Sequence, residues 1–468
     1  ANTKQHTPYF KSHYFYTRYF SPHGRYENFQ LKLTHDPKIK LSIDVDRVNG
    51  GLVKTPSKDG LVHYAFDYKQ LEAYPSEPNQ AEIYDYAPHI AITSFASYEQ
   101  MAKAYYEVAE EKAKVTDGVR ALAKEITKGA KDRKDKVRRL YNWVSVNIRY
   151  LGVYMGDGGY VPHDAQSILD NHYGDCKDHV VILEALLAAV GIDSSPALIN
   201  SGTAFLLPTL PTPGIFDHVI TYVPSLNVYL DSTTRFAPLG TLPHGDMDKP
   251  VLLTQTGVTS RTPKTDQSRD RTEARIQMRL TRDGSIEGKS QAKMFGVFEV
   301  ASRNSQFNYQ NKNQADIVNR LLSRFQETGW GEIGKTEPTN YDKPWQVDST
   351  FELDPVVNVP GPSAMAIPVG LAPGRIKNFA DVVLPKERRF PTACNSTKHE
   401  EWIDLTFPKD MKITSVPKDV SFAKGNLRYQ STYELKGQML KIKRSYMATY
   451  KDRICGEEAD KLFSAFTQ

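Results

Sequence analysis

Cysteine is scarce in this chain, with three residues among 468, at Cys176, Cys394 and Cys455. So few cysteines exclude a scaffold built from many disulfides, and the lack of any CxxC pair argues against an ordinary structural zinc site. The odd number leaves two arrangements open. Either Cys394 and Cys455 form a disulfide beside a free Cys176, which implies an oxidising compartment, or the two C-terminal cysteines are unpaired thiols in a reducing one.

The sequence also lacks a large excess of charge, a membrane-length apolar run and a signal-peptide pattern. Its net charge of +5, from 60 Lys and Arg against 55 Asp and Glu, is too small to indicate nucleic-acid binding. The longest apolar run, Val180–Val190, contains Glu184 and is too short to span a membrane. The first ten residues, ANTKQHTPYF, do not form a leader. We therefore expect a mature or trimmed chain with no nucleic-acid partner and no membrane span.

Changes of pattern along the chain predict an α+β protein of four domains. Residues 1–95 alternate apolar and polar positions, as in YENFQLKLTH and KIKLSIDVDRV, and predict a small N-terminal β domain. Residues 96–256 combine helical periodicity with short strands and form the predicted catalytic core. Residues 257–348 are predicted to be β-rich with one helix, about Gln314–Thr328, and residues 349–468 to be a C-terminal β domain.

Cys176 stands directly before the most apolar helix that the sequence predicts. Gly174 and Asp175 interrupt the chain, the run VVILEALLAAV follows, and Gly191 occupies a typical position past a helix end. A helix that is apolar on every face is a buried central helix, and its first turn directs unpaired N–H groups and the positive end of its dipole at the sulfur. Cys176 is therefore a candidate nucleophile, with a buried structural cysteine as the alternative.

A base and a group that orients it are predicted within one hairpin, FDHVITYVPSLNVYLDST. If its strands pair symmetrically about Pro224–Ser225, Tyr222 lies opposite Asn227 and His218 lies opposite Asp231. Both side chains then point to the same face, so that the Asp231 carboxylate fixes the tautomer of the imidazole. A shift of one residue would separate them. The alternative is an ordinary hairpin that happens to contain a histidine and an aspartate.

A metal site is the competing interpretation of the cysteine region. His172, Cys176 and His179 are spaced by four and three residues, with Asp175 and Asp178 nearby, which is similar to half of a zinc site. No CxxC or HxxxH pair completes the ligand set. We therefore expect neither a metal nor another cofactor.

These motifs resemble those of the transglutaminase-like superfamily. YGDCKDHVVILEALLAAVGIDSSPALI, DHVITYV and VYLDSTTRFAPLG are similar to its cysteine, histidine and aspartate motifs, and LYNWVSVNIRYLGVYMGDGGYVPHDAQSIL resembles the lead-in of bacterial members. The similarity runs from about Ala96 to Leu239. It implies a papain-like transglutaminase core, with a helical part and an antiparallel sheet. Antiparallel β domains flank this core in bacterial envelope proteins of unassigned function, and from that resemblance we expect the N-terminal one to be incomplete here.

The resemblance also implies a chemistry. Cys176 is then the nucleophile, His218 the general base and acid, and Asp231 the group that orients His218. The expected activity is acyl transfer on amide bonds of a peptide or protein through a thioester, mostly hydrolytic, in the periplasm or outside the cell. Tyr160 and Trp143 are candidate oxyanion or substrate contacts, with plain packing as the alternative. Transglutaminase-type amine transfer uses the same residues, and a binding or scaffold protein with an idle site is a third possibility.

Overall fold

The computed structural model of the chain describes residues 10–54, 59–152, 159–341, 343–380, 388–456 and 461. Most of the N-terminal stretch ANTKQHTPYF and the centre of the bacterial lead-in motif, residues 153–158, lie outside the described residues. The chain divides into two compact units, which are Ala1–Arg235, Leu242–Lys264 and Arg389–Ala393, and Phe236–Thr241, Thr265–Arg388 and Cys394–Gln468. The finer division into four domains stays a prediction.

Helices occur in both units. Those of the described residues are α1 (Tyr98–Lys112), α2 (Asp117–Ile126), α3 (Arg133–Asn147), α4 (Ala165–Asn171), α5 (Cys176–Ala188), α6 (Val297–Tyr309), α7 (Gln314–Ser323) and α8 (Arg375–Ala380). Within those ranges, no helix is both long enough and apolar enough to cross a bilayer.

Strands precede and follow the helical region. Those before α1 are β1 (Phe15–Tyr19), β2 (Tyr26–His35), β3 (Ser42–Asp46), β4 (Asn49–Leu52), β5 (Val62–Gln70) and β6 (His89–Thr93). Those up to residue 261 are β7 (Arg149–Tyr150), β8 (Tyr173–Gly174), β9 (Ser195–Ile199), β10 (His218–Val223), β11 (Val228–Leu230), β12 (Pro250–Leu253) and β13 (Thr259–Arg261). The rest are β14 (Arg271–Leu280), β15 (Ile286–Met294), β16 (Gly329–Ile333), β17 (Gln346–Leu353), β18 (Thr392–Ala393), β19 (Thr397–Thr406), β20 (Val420–Lys424), β21 (Leu427–Lys436), β22 (Met439–Ala448) and β23 (Ile454–Cys455).

The first unit packs its helices against a five-stranded antiparallel sheet of order β11-β10-β9-β12-β13. Helix α5 contacts β10 as well as α2, α3 and α4, so it occupies the centre of this core. Every residue from Lys177 to Leu187 is buried, as the all-round apolar sequence predicts. The N-terminal strands form two further antiparallel sheets, β1-β6-β3 and β2-β5-β4.

The second unit contains an eight-stranded sheet of order β16-β17-β15-β14-β19-β22-β21-β20. Strand β14 alternates strictly, burying Ala274, Ile276, Met278 and Leu280 on the face that forms the core of this unit. Strands β14 and β19 run parallel, because a long crossover connects them, whereas the other neighbouring strands are antiparallel.

A disulfide lies in the second unit. The sulfur atoms of Cys394 and Cys455 are bonded at 2.08 Å, with their Cα atoms 6.0 Å apart. Cys176 is the free cysteine, and it is partly exposed. Of the two arrangements that the odd cysteine count left open, the structure adopts the C-terminal pair.

The predicted α+β class is confirmed, with β-sheets on both sides of the helical region in sequence. Helices α1 and α2 begin directly after capping residues, since Ser97 Oγ accepts from Gln100 N at 3.1 Å and Thr116 Oγ1 accepts from Val119 N at 3.2 Å. The prediction of one helix between residues 257 and 348 was wrong, because α6 precedes α7. Helix α6 follows Gly296 without a side-chain cap, so its start has no sequence signal.

Candidate active site

The N-terminus of α5 is built around Cys176 by a capping box. Asp175 is the N-cap residue, and its side chain accepts from Lys177 N at 3.2 Å. In return, Asp178 Oδ2 accepts from Asp175 N at 3.1 Å. Position 174 requires glycine, since the Cβ of any other residue would lie 2.4 Å from Cβ of Asp178. The Gly-Asp-Cys sequence therefore starts the helix at the sulfur-bearing residue.

His218 begins β10 in the neighbouring sheet and faces Asp231, which directly follows β11. The predicted register was wrong by two residues, because Tyr222 pairs with Tyr229 instead of Asn227. A 3-10 turn at Pro224–Leu226 replaces the expected tight turn. Side chains alternate with a period of two, so this shift keeps the same face. His218 Nε2 still lies 3.4 Å from Asp231 Oδ1.

Several hydrogen-bond donors stabilise the negative charge of Asp231. Its Oδ1 accepts from Thr233 N at 2.9 Å and from Thr233 Oγ1 at 2.6 Å, and its Oδ2 accepts from Thr234 Oγ1 at 2.7 Å. Burial opposes ionisation, but the charge of His218 and these hydrogen bonds outweigh it and hold the pKa of Asp231 well below its usual value. Asp231 is therefore a carboxylate at neutral pH.

His218 lies beside Asp231 and lines the same cavity as Cys176. Burial lowers its pKa, but the charge and hydrogen bond of Asp231, together with a hydrogen bond to Cys176, more than compensate and raise the pKa of His218 well above 6.5. Because Nε2 faces Asp231, Nδ1 is the ring nitrogen left for the thiol. The imidazole therefore has a carboxylate beside it and shares the lining of one cavity with the free thiol.

Two side chains hold the backbone at Asp231 and Ser232, and nothing in the sequence connects them with Asp231. Tyr141 on α3 donates its hydroxyl to Asp231 O at 3.2 Å. His179, one turn after Cys176, makes a 3.0 Å contact from Nδ1 to Ser232 O, and a carbonyl can only accept, so Nδ1 carries the proton. The helix that holds the thiol is therefore tied to the loop that holds the carboxylate.

The structure does not assemble the alternative zinc ligands. His172 is the left-handed C-cap of α4, and His179 is bonded to Ser232, so neither joins Cys176 in a ligand cluster. Among the described residues, the His, Cys, Asp and Glu side chains close enough to share an ion are His218, Asp231 and Asp246, whose ligand atoms lie within 4.8 Å of one another. Asp246 was missed in the sequence because nothing local in PHGDMDK marks it.

A cavity of about 70 Å³ lies beside Cys176 and His218, and Phe10 and Tyr160 are among the residues that line it. The two aromatic rings pack edge to face at 5.6 Å. Trp143 is on α3, with its ring 6.3 Å from that of His172, and does not line this cavity. The roles assigned to Tyr160 and Trp143 stay predictions. Ligand pockets usually measure about 300–1,000 Å³, so this cavity is smaller than most ligand sites.

Comparison with known proteins supports the resemblance seen in the sequence. Residues 120–198 match the family model of the transglutaminase-like superfamily, a stretch that includes Cys176 but neither His218 nor Asp231. No curated protein is matched by the chain.

Two solved structures are similar to this chain. A proposed protease from Parabacteroides distasonis ATCC 8503 has a TM-score of 0.64 and 14% identity, over 99% of this chain and 74% of that one. At that identity, the likeness shows the fold alone. A proposed cysteine protease from Cytophaga hutchinsonii has a TM-score of 0.22 and 11% identity, over 47% of this chain and 75% of that one, which is too low to support an argument. The family match therefore covers residues 120–198 of the core predicted at residues 96–256.

Proposed function

We propose that this chain, whose residues 120–198 match the transglutaminase-like superfamily, is a cysteine-dependent hydrolase of amide bonds. The observation that supports this most directly is the series of contacts from Cys176 through His218 to Asp231. An ionised carboxylate on one side of a buried imidazole and a free thiol on the other are the parts that an acyl-transfer site requires.

In the first half of the reaction, Cys176 attacks the carbonyl carbon of an amide. His218 holds the proton that the thiol has given up, a carbon–sulfur bond forms, and the carbonyl oxygen takes a negative charge. The carbon–nitrogen bond then breaks as the His218 imidazolium gives its proton to the leaving amine, so a thioester remains on Cys176. The Asp231 carboxylate stabilises the imidazolium throughout.

In the second half, water attacks the thioester while His218 accepts one of its protons. The carbon–sulfur bond breaks, the thiol of Cys176 is restored, and a carboxylic acid leaves. An amine could replace the water at this step and produce a new amide. Hydrolysis is the first choice, and amine transfer is the alternative.

The oxyanion that forms on the carbonyl needs donors that are already in place. The backbone N–H of Cys176, at the start of α5, is the first candidate, because N–H groups of a first helical turn lack intrahelical acceptors. Tyr160 is the second, as its ring lines the same cavity as the thiol. Trp143 has less support, because it lies outside that lining.

The substrate is expected to be a peptide or protein, and the site of action the bacterial envelope. The disulfide between Cys394 and Cys455 supports an oxidising compartment, since such bonds are rare in reducing cytosol.

Labelling and digestion together test the function. A peptidyl vinyl sulfone should alkylate Cys176 in the wild type, and the Cys176→Ala variant, checked by thermal melting to be folded, should remain unlabelled. Incubated with a mixture of unstructured peptides, the wild type should yield fragments whose masses sum to substrate plus one water, and Cys176→Ala should yield none. Equal cleavage by both proteins would refute the proposal.

The same digestion separates the alternatives. If amine transfer prevails, methylamine added to the mixture should be joined to the products as a new amide. The proposal of hydrolysis would then be wrong. Peptides that bind to wild type and Cys176→Ala alike, without being cleaved or aminated, would indicate a binding protein.

A further inference from the structure

Asp246 lies in the interior of the first unit, next to the pair formed by His218 and Asp231. It ends a short 3-10 turn, His244–Asp246, and its side chain has no exposed surface. Thr262 Oγ1 donates to Asp246 O at 2.5 Å, and Gly202 N donates to Gly245 O at 3.0 Å. The backbone of this turn is therefore held from two sides, and the carboxyl group has a fixed position.

The carboxyl group itself has few partners. Within the described residues, neither of its oxygens makes a hydrogen bond of ordinary geometry, and the polar side chains that face it are those of Ser201, Asp231 and His218. A buried carboxylate normally accepts several hydrogen bonds, as Asp231 does from Thr233 and Thr234.

The charges of this cluster favour a proton on Asp246. An imidazolium at His218 and a carboxylate at Asp231 neutralise each other, so an ionised Asp246 would leave one uncompensated negative charge in the interior. Burial, followed by the charge of Asp231, raises the pKa of Asp246 to about 7, against the smaller opposing effects of His218 and Ser201. Two other titratable groups lie near His218. His179 is neutral, since burial lowers its pKa to about 4. Asp217 accepts from Ser201 N at 2.8 Å, and burial raises the pKa of its carboxyl group.

We propose that Asp246 is a positioning residue that keeps its proton, donates a hydrogen bond to the Asp231 carboxylate, and so holds Asp231 against His218. The inference rests on the proposed function, because it assigns Asp246 a role in the site formed by Cys176, His218 and Asp231. Two carboxyl groups in contact share one proton readily, since both cannot be ionised at low cost.

A pH dependence follows from this arrangement. Below pH 7 the acid is neutral and the O–H donor is present. Above pH 7 the proton is lost, and a second negative charge then faces Asp231 and His218 in place of the donor. The alignment of His218 with Cys176 should therefore weaken as the pH rises through about 7.

Infrared spectroscopy tests the protonation directly and needs no substrate. Protein labelled with 13C-aspartate should show a protonated-acid C=O band that disappears with a midpoint near pH 7. The band should be missing in Asp246→Asn. The band should persist in the matched control Glu184→Gln. Glu184, which lies on α5, also has a buried carboxyl group, but this group does not face the cluster around Asp246.

Alkylation of Cys176 by iodoacetamide tests the positioning. At pH 6, Asp246→Ala should react roughly tenfold more slowly than wild type, the usual effect of losing a hydrogen bond to a charged group. Asp246→Asn should recover most of that loss, because its amide N–H replaces the O–H. The ratio of the wild-type rate to that of Asp246→Asn should fall as the pH rises from 6 to 8, whereas Glu184→Gln should follow the wild type.

Three results would overturn the proposal: no aspartic-acid band with a midpoint near neutrality, equal rates for Asp246→Asn and Asp246→Ala at every pH, or a stoichiometric metal ion found by elemental analysis. Failure of the proposed function looks different. In that case peptides remain intact, while the infrared band and its loss in Asp246→Asn are still observed.

Discussion

Replacing Asp231 with asparagine would measure how strongly the carboxylate controls His218. The first unit provides an internal reference, since it buries a second histidine. Burial lowers the pKa of His179 to about 4, whereas at His218 the charge and hydrogen bond of Asp231 outweigh burial and keep the pKa well above 6.5. Without the carboxylate, the surroundings of His218 should come to resemble those of His179.

The expected magnitude follows from that comparison. The interval from about 4 to 6.5 is a lower bound, so the protonation equilibrium of His218 should shift by at least about 3 kcal/mol in Asp231→Asn. With a pKa close to that of His179, about one ring in a hundred would be charged at pH 6, so the imidazolium population should fall roughly a hundredfold there. Since an ion pair of thiolate and imidazolium needs that charged ring, alkylation of Cys176 at pH 6 should slow by a similar factor.

The assay is the rate of iodoacetamide labelling between pH 5 and 9, with the modified peptide identified as that of Cys176. Asp85→Asn is a suitable control, because Asp85 is partly buried and accepts from Phe205 N at 2.7 Å and Leu206 N at 2.9 Å, outside the cavity lining. If Asp231→Asn reacted at the wild-type rate across this range, the electrostatic account of the site would be wrong.

Two further changes test the core and the access route of the first unit. Glu184→Gln removes a carboxyl whose pKa burial raises to about 8. The folded protein binds this proton more tightly than the unfolded one, so wild-type stability is intact below pH 4.5 and declines up to pH 8. Urea denaturation of the variant should lack that decline, of up to about 5 kcal/mol, and an unchanged decline would contradict the assignment. Phe10→Ala should open the small cavity, so that a bulky peptidyl probe labels Cys176 faster relative to iodoacetamide, and an unchanged ratio would show that Phe10 does not limit access.

The local parts of this architecture could be predicted from sequence. Ser97 and Thr116 cap their helices through contacts within three residues, and the apolar sequence after Cys176 determines a buried α5. Such features depend on neighbours in the chain, which a sequence shows directly. Helix α4 has a weaker local signal, since it is short and its N-cap residue Asp164 makes no capping hydrogen bond.

The sequence predicted which face of the sheet carries the site residues, but not which residues pair across the strands. The alternation of side chains placed His218 and Asp231 on one face, but the two-residue error in register came from a 3-10 turn that the sequence Pro-Ser-Leu-Asn does not specify. The residues that hold the backbone at Asp231 are remote in sequence, since Tyr141 lies 90 residues away along the chain. Contacts of that kind depend on tertiary packing, and a single sequence does not contain them.

Three buried carboxyl groups of the first unit show how partners, more than residue type, decide chemical roles. Asp231 faces an imidazolium and the hydroxyls of two threonines, and it is ionised. Glu184 has one long contact, 3.5 Å from Ser194 Oγ, and burial raises its pKa to about 8. The pKa of Asp246 is intermediate between those of Asp231 and Glu184. His218 favours the charged form of Asp246, but burial and the charge of Asp231 oppose it more strongly. Groups whose environments separate their pKa values can exchange protons in a defined direction. At neutral pH the proton therefore resides on His218 and not on Asp231, which is the distribution that a thiolate at Cys176 requires.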